Sequence, residues 1–371
     1  MRISIAILFL QGLRVACEVP QDYQTVTLDD FADDLVSTIQ ETPNLSVFAD
    51  VLDQNKDVLM LDNSTEYLIF APSNSADAQY YLYSQAAVSG SPDTLALGGE
   101  GDTEEDKRHI TPALALLFID RGRSPPDLAV QAATLRTNLT DPRYVNLGPG
   151  IPANIVSEPA PGTGHRNIML TAGLGIQAKI LLSMIDYSQG TIQESDSLLT
   201  LPEPFDVTLR KTEGTGFLDA LKRLALLEGI NSTSKITAFV PIDPAFTGKE
   251  VGASALQRHI LPDFLGYTPN LIDGQTHRAQ DGSQVTVSYK QGAYYANNAK
   301  IVKANVITKN GVIHYVDTLI ESAESSTSST PDLGPTSGAS PGQKSIGASF
   351  EPFLLGVAAL ISVLVVSNLG V

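Results

Sequence analysis

Ala299-Lys-Ile-Val-Lys-Ala-Asn-Val-Ile-Thr-Lys-Asn-Gly-Val-Ile-His-Tyr-Val-Asp-Thr-Leu-Ile320 reads as two strands joined by a turn. Ile301, Val302, Val306 and Ile307 are β-branched, and their stiff side chains suit a pleated surface. Asn310-Gly311 marks the turn, because glycine takes positive φ without steric cost. Val312, Ile313, Tyr315 and Val316 then resume the strand. An earlier stretch, Ala178-Lys-Ile-Leu-Leu-Ser-Met-Ile-Asp-Tyr-Ser-Gln-Gly-Thr-Ile-Gln-Glu-Ser-Asp-Ser-Leu-Leu199, aligns with it without a gap. Gly190 falls on Gly311, Ile192 on Ile313, Asp196 on Asp317 and Leu198 on Leu319. A long internal repeat therefore comes before any assignment of fold.

Two further echoes support the repeat. Phe70-Ala-Pro-Ser-Asn-Ser-Ala76 matches Phe239-Val-Pro-Ile-Asp-Pro-Ala245, and Arg108-His-Ile-Thr-Pro112 matches Arg258-His-Ile-Leu-Pro262. The motifs keep one order in both halves. A strand ending in Phe-x-Pro-x-Asn/Asp-x-Ala, then His-Ile-x-Pro, then Asn-Gly-Val-Ile-His-x-Val-Asp, resembles the fasciclin-like domain. The resemblance covers roughly residues 23–322. It places Phe239, Pro241, His259, Asn310, Gly311, His314 and Asp317 at structural positions of the second domain, and Phe70, Pro72, His109, Gly190 and Asp196 at those of the first. The first half is degenerate: Gln189 replaces Asn310, Gln193 replaces His314, and Glu194-Ser195 replaces Tyr315-Val316. The resemblance implies an α+β fold, two tandem domains that are each a β-wedge flanked by helices, used for adhesion rather than catalysis. In animal relatives an Asp-Ile pair before the Asn-Gly turn is linked to integrin binding. Asn305-Val306 stands there in this chain, so that role does not carry over.

The ends read as addresses. Arg2 and the apolar run Ile3 to Leu10 make residues 1–17 a secretory signal peptide, cut before Glu18. The run is too short to span a bilayer. Cys17 is the sole cysteine, so a mature chain beginning at Glu18 would hold together by its cores alone. Residues 323–349 form a stalk rich in Ser, Thr and Pro that cannot bury enough apolar surface to fold, and residues 350–371 end in an apolar run with no basic flank. Small residues, a polar spacer and an apolar tail match attachment of a glycosylphosphatidylinositol anchor, at Gly338 or next at Ser337. A transmembrane helix is the alternative reading of this tail.

The rest divides as 23–200, a linker 201–204, and 205–322. Leu201-Pro-Glu-Pro204 reads as stiff, holding the domains apart. The first domain carries about 48 more residues than the second between Phe and Gly, centred on an acidic Gly- and Ser-rich loop at 84–107. Gly148 to His165 reads as another loop. Helices are expected from Asp29 to Gln40, from Leu45 to Leu52, and after Thr215 as N-cap with Gly229 as C-cap. Strands are expected at Tyr67 to Phe70, Lys235 to Val240 and Gln284 to Tyr289.

Net charge of −17 argues against nucleic acid as a partner. Four sequons, at Asn44, Asn63, Asn138 and Asn231, mark surface positions of a glycosylated chain, Asn63 and Asn231 at turns before matching strands. Glu104-Glu105-Asp106 lacks the spacing of a calcium loop. His259 and His314 could be read as a catalytic or metal pair. Their apolar neighbours, and Gln193 at the equivalent of His314, favour local hydrogen bonding, since an amide cannot do acid–base work. His165 and His277 carry no motif. No nucleophile elbow, zinc helix, phosphate loop or dinucleotide fingerprint occurs, so neither a metal nor another cofactor is expected, and no catalysis. The expected partners are matrix, cell-wall or cell-surface proteins or glycans, a second copy of the chain among them, and the outer membrane leaflet through the lipid anchor. The alternatives are a co-receptor or carrier holding a small molecule or lipid in a cleft, and a surface hydrolase.

Overall fold

A computed structural model describes residues 28–56, 65–76, 112–120, 131–160, 167–246 and 250–321. The signal peptide, the acidic loop, Asn63, His109, His165, the stalk, Gly338, Ser337 and the apolar tail lie outside these residues. Among the described residues no helix is long and apolar enough to cross a membrane.

The chain builds one topology twice. The first domain begins with helices Leu28–Gln40 and Ser46–Gln54. Its strands are β1 (Tyr67–Pro72), β2 (Phe118–Asp120), β3 (Ala133–Arg136), β4 (Asn154–Pro159), β5 (Ile168–Thr171), β6 (Gln177–Tyr187) and β7 (Gly190–Ser195). The second begins with helices Phe205–Lys211, Thr215–Arg223 and Leu227–Ser232. Its strands are β8 (Ile236–Pro241), β9 (Ile260–Leu261), β10 (Thr276–Arg278), β11 (Gln284–Lys290), β12 (Ala293–Ala296), β13 (Ala299–Thr308) and β14 (Gly311–Val316). The spatial orders are β2-β1-β7-β6-β5-β4-β3 and β9-β8-β14-β13-β12-β11-β10. The two sequences of strands correspond one for one. The wedge expected from the sequence is therefore a seven-stranded, barrel-like sheet in each half.

Each sheet holds one parallel pair, second and third from the β2 or β9 edge. Tyr67 to Pro72 faces Gly190 to Ser195, and Ile236 to Pro241 faces Gly311 to Val316. All six residues of β1, β8 and β14 are buried, as strands covered on both faces must be. The register puts a glycine against a carbonyl in both halves. A Cβ at Gly190 would lie 2.0 Å from the Tyr67 oxygen, and one at Gly311 1.9 Å from the Ile236 oxygen. No side chain fits either place, which explains the shared glycine.

The matching aspartates also have one job. Asp196 accepts the Lys179 amide at 2.7 Å, and Asp317 accepts the Lys300 amide at 2.9 Å. Each Asp amide donates in return to the same lysine's carbonyl, at 3.0 Å in both domains. The carboxylate thus extends the ladder one step past the end of β7 or β14. The edge strands meet to close each sheet: Ile119 bridges Thr137 in the first domain, and the Gln280 amide reaches the Ile260 carbonyl at 2.9 Å in the second.

Several expectations need correction. The segment read as a loop from Gly148 contains β4, whose Ile155, Val156 and Ser157 are buried. Thr215 is not the N-cap of its helix; Gly214 is, and the Thr215 hydroxyl donates to Asp243 instead. Gly229 lies inside the helix Leu227–Ser232, while the turn that ends the preceding helix is made by Ala225 at φ 55°. Asn231 consequently stands in the last turn of that helix rather than in a loop.

The linker does not hold the domains apart. Leu201 is buried in the first core, Glu203 bridges Thr308, and the Lys309 amide donates to the Glu203 carbonyl at 2.8 Å. Proline fixes an extended backbone without barring its neighbours from ladder contacts, so Glu203 between two prolines still pairs. Gly173 bridges Ile307 beside it, and Val156 of the first domain shares an apolar cluster with Tyr267, Ile307 and Val312 of the second.

Candidate functional site

The Asn-Gly-Val-Ile-His-x-Val-Asp motif occupies the β13–β14 hairpin and its flanks. Asn310, 1% exposed, donates its amide to the carbonyls of Ile230 and Thr233, each at 2.8 Å. Those carbonyls stand at the end of the helix Leu227–Ser232, where the Ile230 carbonyl also accepts the Thr233 amide at 3.2 Å. The asparagine thus ties the hairpin turn to a helix terminus. Two residues on, Val312 and Ile313 enter different apolar clusters.

His314 is wholly buried and packs on Phe239, with ring centroids 5.7 Å apart. Its Nε2 lies 2.7 Å from the Gly266 carbonyl, and its Nδ1 faces the Asn305 amide at 3.4 Å. A carbonyl only accepts and an amide N–H only donates, so the ring is neutral with its proton on Nε2. Burial pushes its pKa down to about 4. His259 is the mirror case. Its Nδ1 donates to the Phe239 carbonyl at 2.6 Å, and its Nε2 accepts the Ile320 amide at 3.2 Å. Burial again lowers its pKa to about 4, with the Phe239 carbonyl opposing. Each histidine has both ring nitrogens engaged by backbone. Tyr315 joins this core through a hydroxyl contact to Thr212, and burial raises its pKa to about 12.

In the first domain Gln189 and Gln193 occupy the places of Asn310 and His314. Both side-chain oxygens are buried without a hydrogen-bond partner among the described residues. Phe70 and Pro72 hold the places of Phe239 and Pro241.

One set of residues escapes the sequence motifs. Asn305 is 1% exposed and sits at φ 58° in a bulge of β13, between Lys303 and Val306. Its amide donates to Thr268 Oγ1 at 2.5 Å and to the Glu158 carboxylate at 3.2 Å, and its oxygen accepts the Thr268 amide at 2.9 Å. The Thr268 hydroxyl donates to the same carboxylate. Glu158 belongs to β4, so this network joins the domains. Thr134 adds a bond to Asn270 at 2.6 Å. The available signal is an asparagine within a β-branched run, because Asn tolerates the left-handed backbone a bulge requires. The Asn305-Val306 pair is thus buried between domains rather than offered to a partner.

The sequons sit in different settings. Asn44 is exposed in the turn Pro43–Leu45. Asn138 is half-buried, its backbone amide held by the carbonyls of Ala115 and Phe118. Asn231 exchanges hydrogen bonds with Asp206, at 3.2 and 3.3 Å.

Residues 213–322 match the Fasciclin domain family, the span from the loop before helix Thr215–Arg223 to just past β14. A fasciclin-like arabinogalactan protein, CTB11 of Cercospora beticola, is 29% identical over 248 residues, 63% of this chain and 65% of that protein. The chain therefore spans just under two thirds of that relative's length. A fasciclin-like arabinogalactan protein of Arthroderma benhamiae is 23% identical over 326 residues, 84% of this chain and 72% of its own. Among solved structures, the FAS1 domain pair of the insect cell adhesion molecule fasciclin I is 18% identical over 76% of this chain and 99% of its own, with a TM-score of 0.33. The family match falls on the domain whose Asn310, Gly311, His314 and Asp317 each have a defined structural task, and residues 213–322 form a fasciclin-like domain in a chain similar to fasciclin-like proteins beyond it.

Proposed function

We propose that the protein is a surface-anchored glycoprotein that acts in adhesion, or in organising a cell wall or matrix, through its paired fasciclin-like domains. The observation that carries this reading is the duplicated barrel. The motif residues conserve a scaffold, with both histidines spent on backbone contacts, which leaves recognition to the surface. Relatives described as fasciclin-like arabinogalactan proteins support the same class. The signal peptide, the Ser-, Thr- and Pro-rich stalk and the anchor signal at Gly338 or Ser337 give the reading its location on the outer leaflet. The sequons at Asn44, Asn63, Asn138 and Asn231 give it its glycans.

The test compares cells displaying the full chain with cells lacking it. Aggregation among displaying cells, or their retention on isolated wall or matrix, is expected. Release of the protein by phosphatidylinositol-specific phospholipase should abolish it. Displaying cells that neither aggregate nor are retained would overturn the reading.

A further inference from the structure

The second sheet closes incompletely. Edge strands β9 and β10 come together through the Gln280 amide and the Ile260 carbonyl, and a groove of about 830 Å³ opens along this seam. One wall is Asp263-Phe264, just after β9; the other is Gln275 to Gln280, which contains β10. Phe264 and His277 stack across the seam with ring centroids 3.8 Å apart and planes at 28°.

The polar groups of this groove are unevenly used. Asp281 is spent within the protein, 3.2 Å from the Arg258 guanidinium and bonded to Ser283. Gln275 Oε1 and His277 Nε2, in contrast, are buried atoms with no hydrogen-bond partner among the described residues. Arg278 and Asp263 are exposed, and neither forms an ion pair among the described residues. Buried polar atoms are nearly always paired, so two unpaired in one groove are an observation in need of a partner.

The chemistry narrows what that partner is. One cation and one anion on the walls give a groove of little net charge, which disfavours a polyanion or polycation. The amide oxygen needs a donor, and the imidazole nitrogen needs a donor or an acceptor according to its tautomer. A hydroxyl group supplies either. Planar Gln, Asp and Arg groups can each engage two adjacent hydroxyls, and an aromatic wall takes up an apolar C–H face. A molecule with vicinal hydroxyls around an apolar ring face is a sugar, and a volume of about 830 Å³ exceeds what a single sugar ring fills.

We propose that the β9–β10 seam of the second domain is a binding site for a neutral oligosaccharide, held by Gln275, His277, Arg278 and Asp263 against the Phe264–His277 pair. The proposal deepens the adhesion reading above and rests on it, by naming what the surface would grip.

The experiment uses the full chain, purified in detergent and titrated with neutral gluco-, manno- and galacto-oligosaccharides by saturation-transfer NMR. Saturable binding to at least one series is expected. Arg278→Ala and Gln275→Leu should each weaken it about tenfold, a loss of ~1.4 kcal/mol, with an unchanged melting temperature. Absence of saturable binding to all three series overturns the proposal, as does binding that neither variant alters. Saturable capture of an extended peptide by the same residues, with no sugar bound, also overturns it. Cells displaying the chain separate the two claims. Aggregation that survives both substitutions removes the groove and leaves the adhesion reading. Sugar binding without any adhesion removes that reading and leaves the groove.

Discussion

The two barrels share strand order and the register of their parallel pair, yet their buried polar groups differ. In the second, Asn310 caps a helix and His314 joins Gly266 to Asn305. In the first, Gln189 and Gln193 stand in those places with oxygens that find no partner among the described residues. Both retain the glycine pressed against a carbonyl and the aspartate that extends the ladder. The comparison separates what the topology requires from what one domain adds to it. Backbone approach and register are required; the histidine and asparagine contacts are a stabilising layer present in the second domain and replaced by Gln189 and Gln193 in the first.

The strongest way to break this comparison is at the glycines. Gly311→Ala and Gly190→Ala each drive a methyl into a carbonyl at about 2 Å. Each should destabilise its own domain by about 3–5 kcal/mol, at the upper end for overpacking and strain, as read by urea denaturation. If only the Gly311 variant suffers, the two sheets do not share a register.

A more discriminating pair replaces His314 and its half-buried counterpart Gln193 with methionine. His314→Met leaves the Gly266 carbonyl and the Asn305 amide unpaired and should cost about 2–4 kcal/mol. Gln193→Met removes an amide whose oxygen lacks a partner among the described residues, and should fall within about 1 kcal/mol of neutral. Thermal melts of the two variants would sharpen the contrast, and equal losses would erase it. Glu158→Ala comes next, since it frees Thr268 and Asn305 from the shared carboxylate. A loss of about 1–2 kcal/mol in the cooperativity between domains is expected, seen as two separated unfolding transitions in place of one. The smallest effect belongs to the matching aspartates. Asp196→Ala and Asp317→Ala each lose one side-chain bond to a backbone amide and should cost about 1 kcal/mol apiece, equal in both domains.

Much of this was legible in the sequence, and for a definable reason. The repeat preserves residues that touch the backbone, so Gly190 on Gly311 and Asp196 on Asp317 announce the hairpin and its ladder. Local burial of His259 and His314 could be inferred from apolar neighbours and from the Gln193 replacement. What was not legible depends on distant partners. Asn305 reads as one polar residue in a strand until Thr268 and Glu158 are brought beside it, from 37 and 147 residues away. The seam groove depends on β9 and β10 meeting across a closed sheet, which no local pattern encodes. The linker misled because prolines announce stiffness but not the Leu201 side chain that docks into the first core. β4 was hidden because Gly148 to Gly150 and Pro159 to Gly164 bracket its short apolar run with turn residues.

The most direct test of one fold with two polar cores uses acid. His259 and His314 hold folded pKa values of about 4, below the ordinary 6.5. The unfolded chain therefore takes up protons that the folded second domain refuses. Their contribution to stability is full above pH 6.5 and declines as pH falls toward 4, by up to about 1.4 kcal/mol per pH unit for each histidine. The first domain has Gln193 in place of one of them. Hydrogen exchange of the full chain, resolved by peptide and corrected for intrinsic rates, should be measured at pH 7 and pH 5. Segments 236–241 and 311–316 should lose more protection than segments 67–72 and 190–195, by about 2 kcal/mol for the histidine that Gln193 replaces. Equal losses in the two domains, or a larger loss in the first, would contradict the assignment of neutral, backbone-bound histidines to the core of the second.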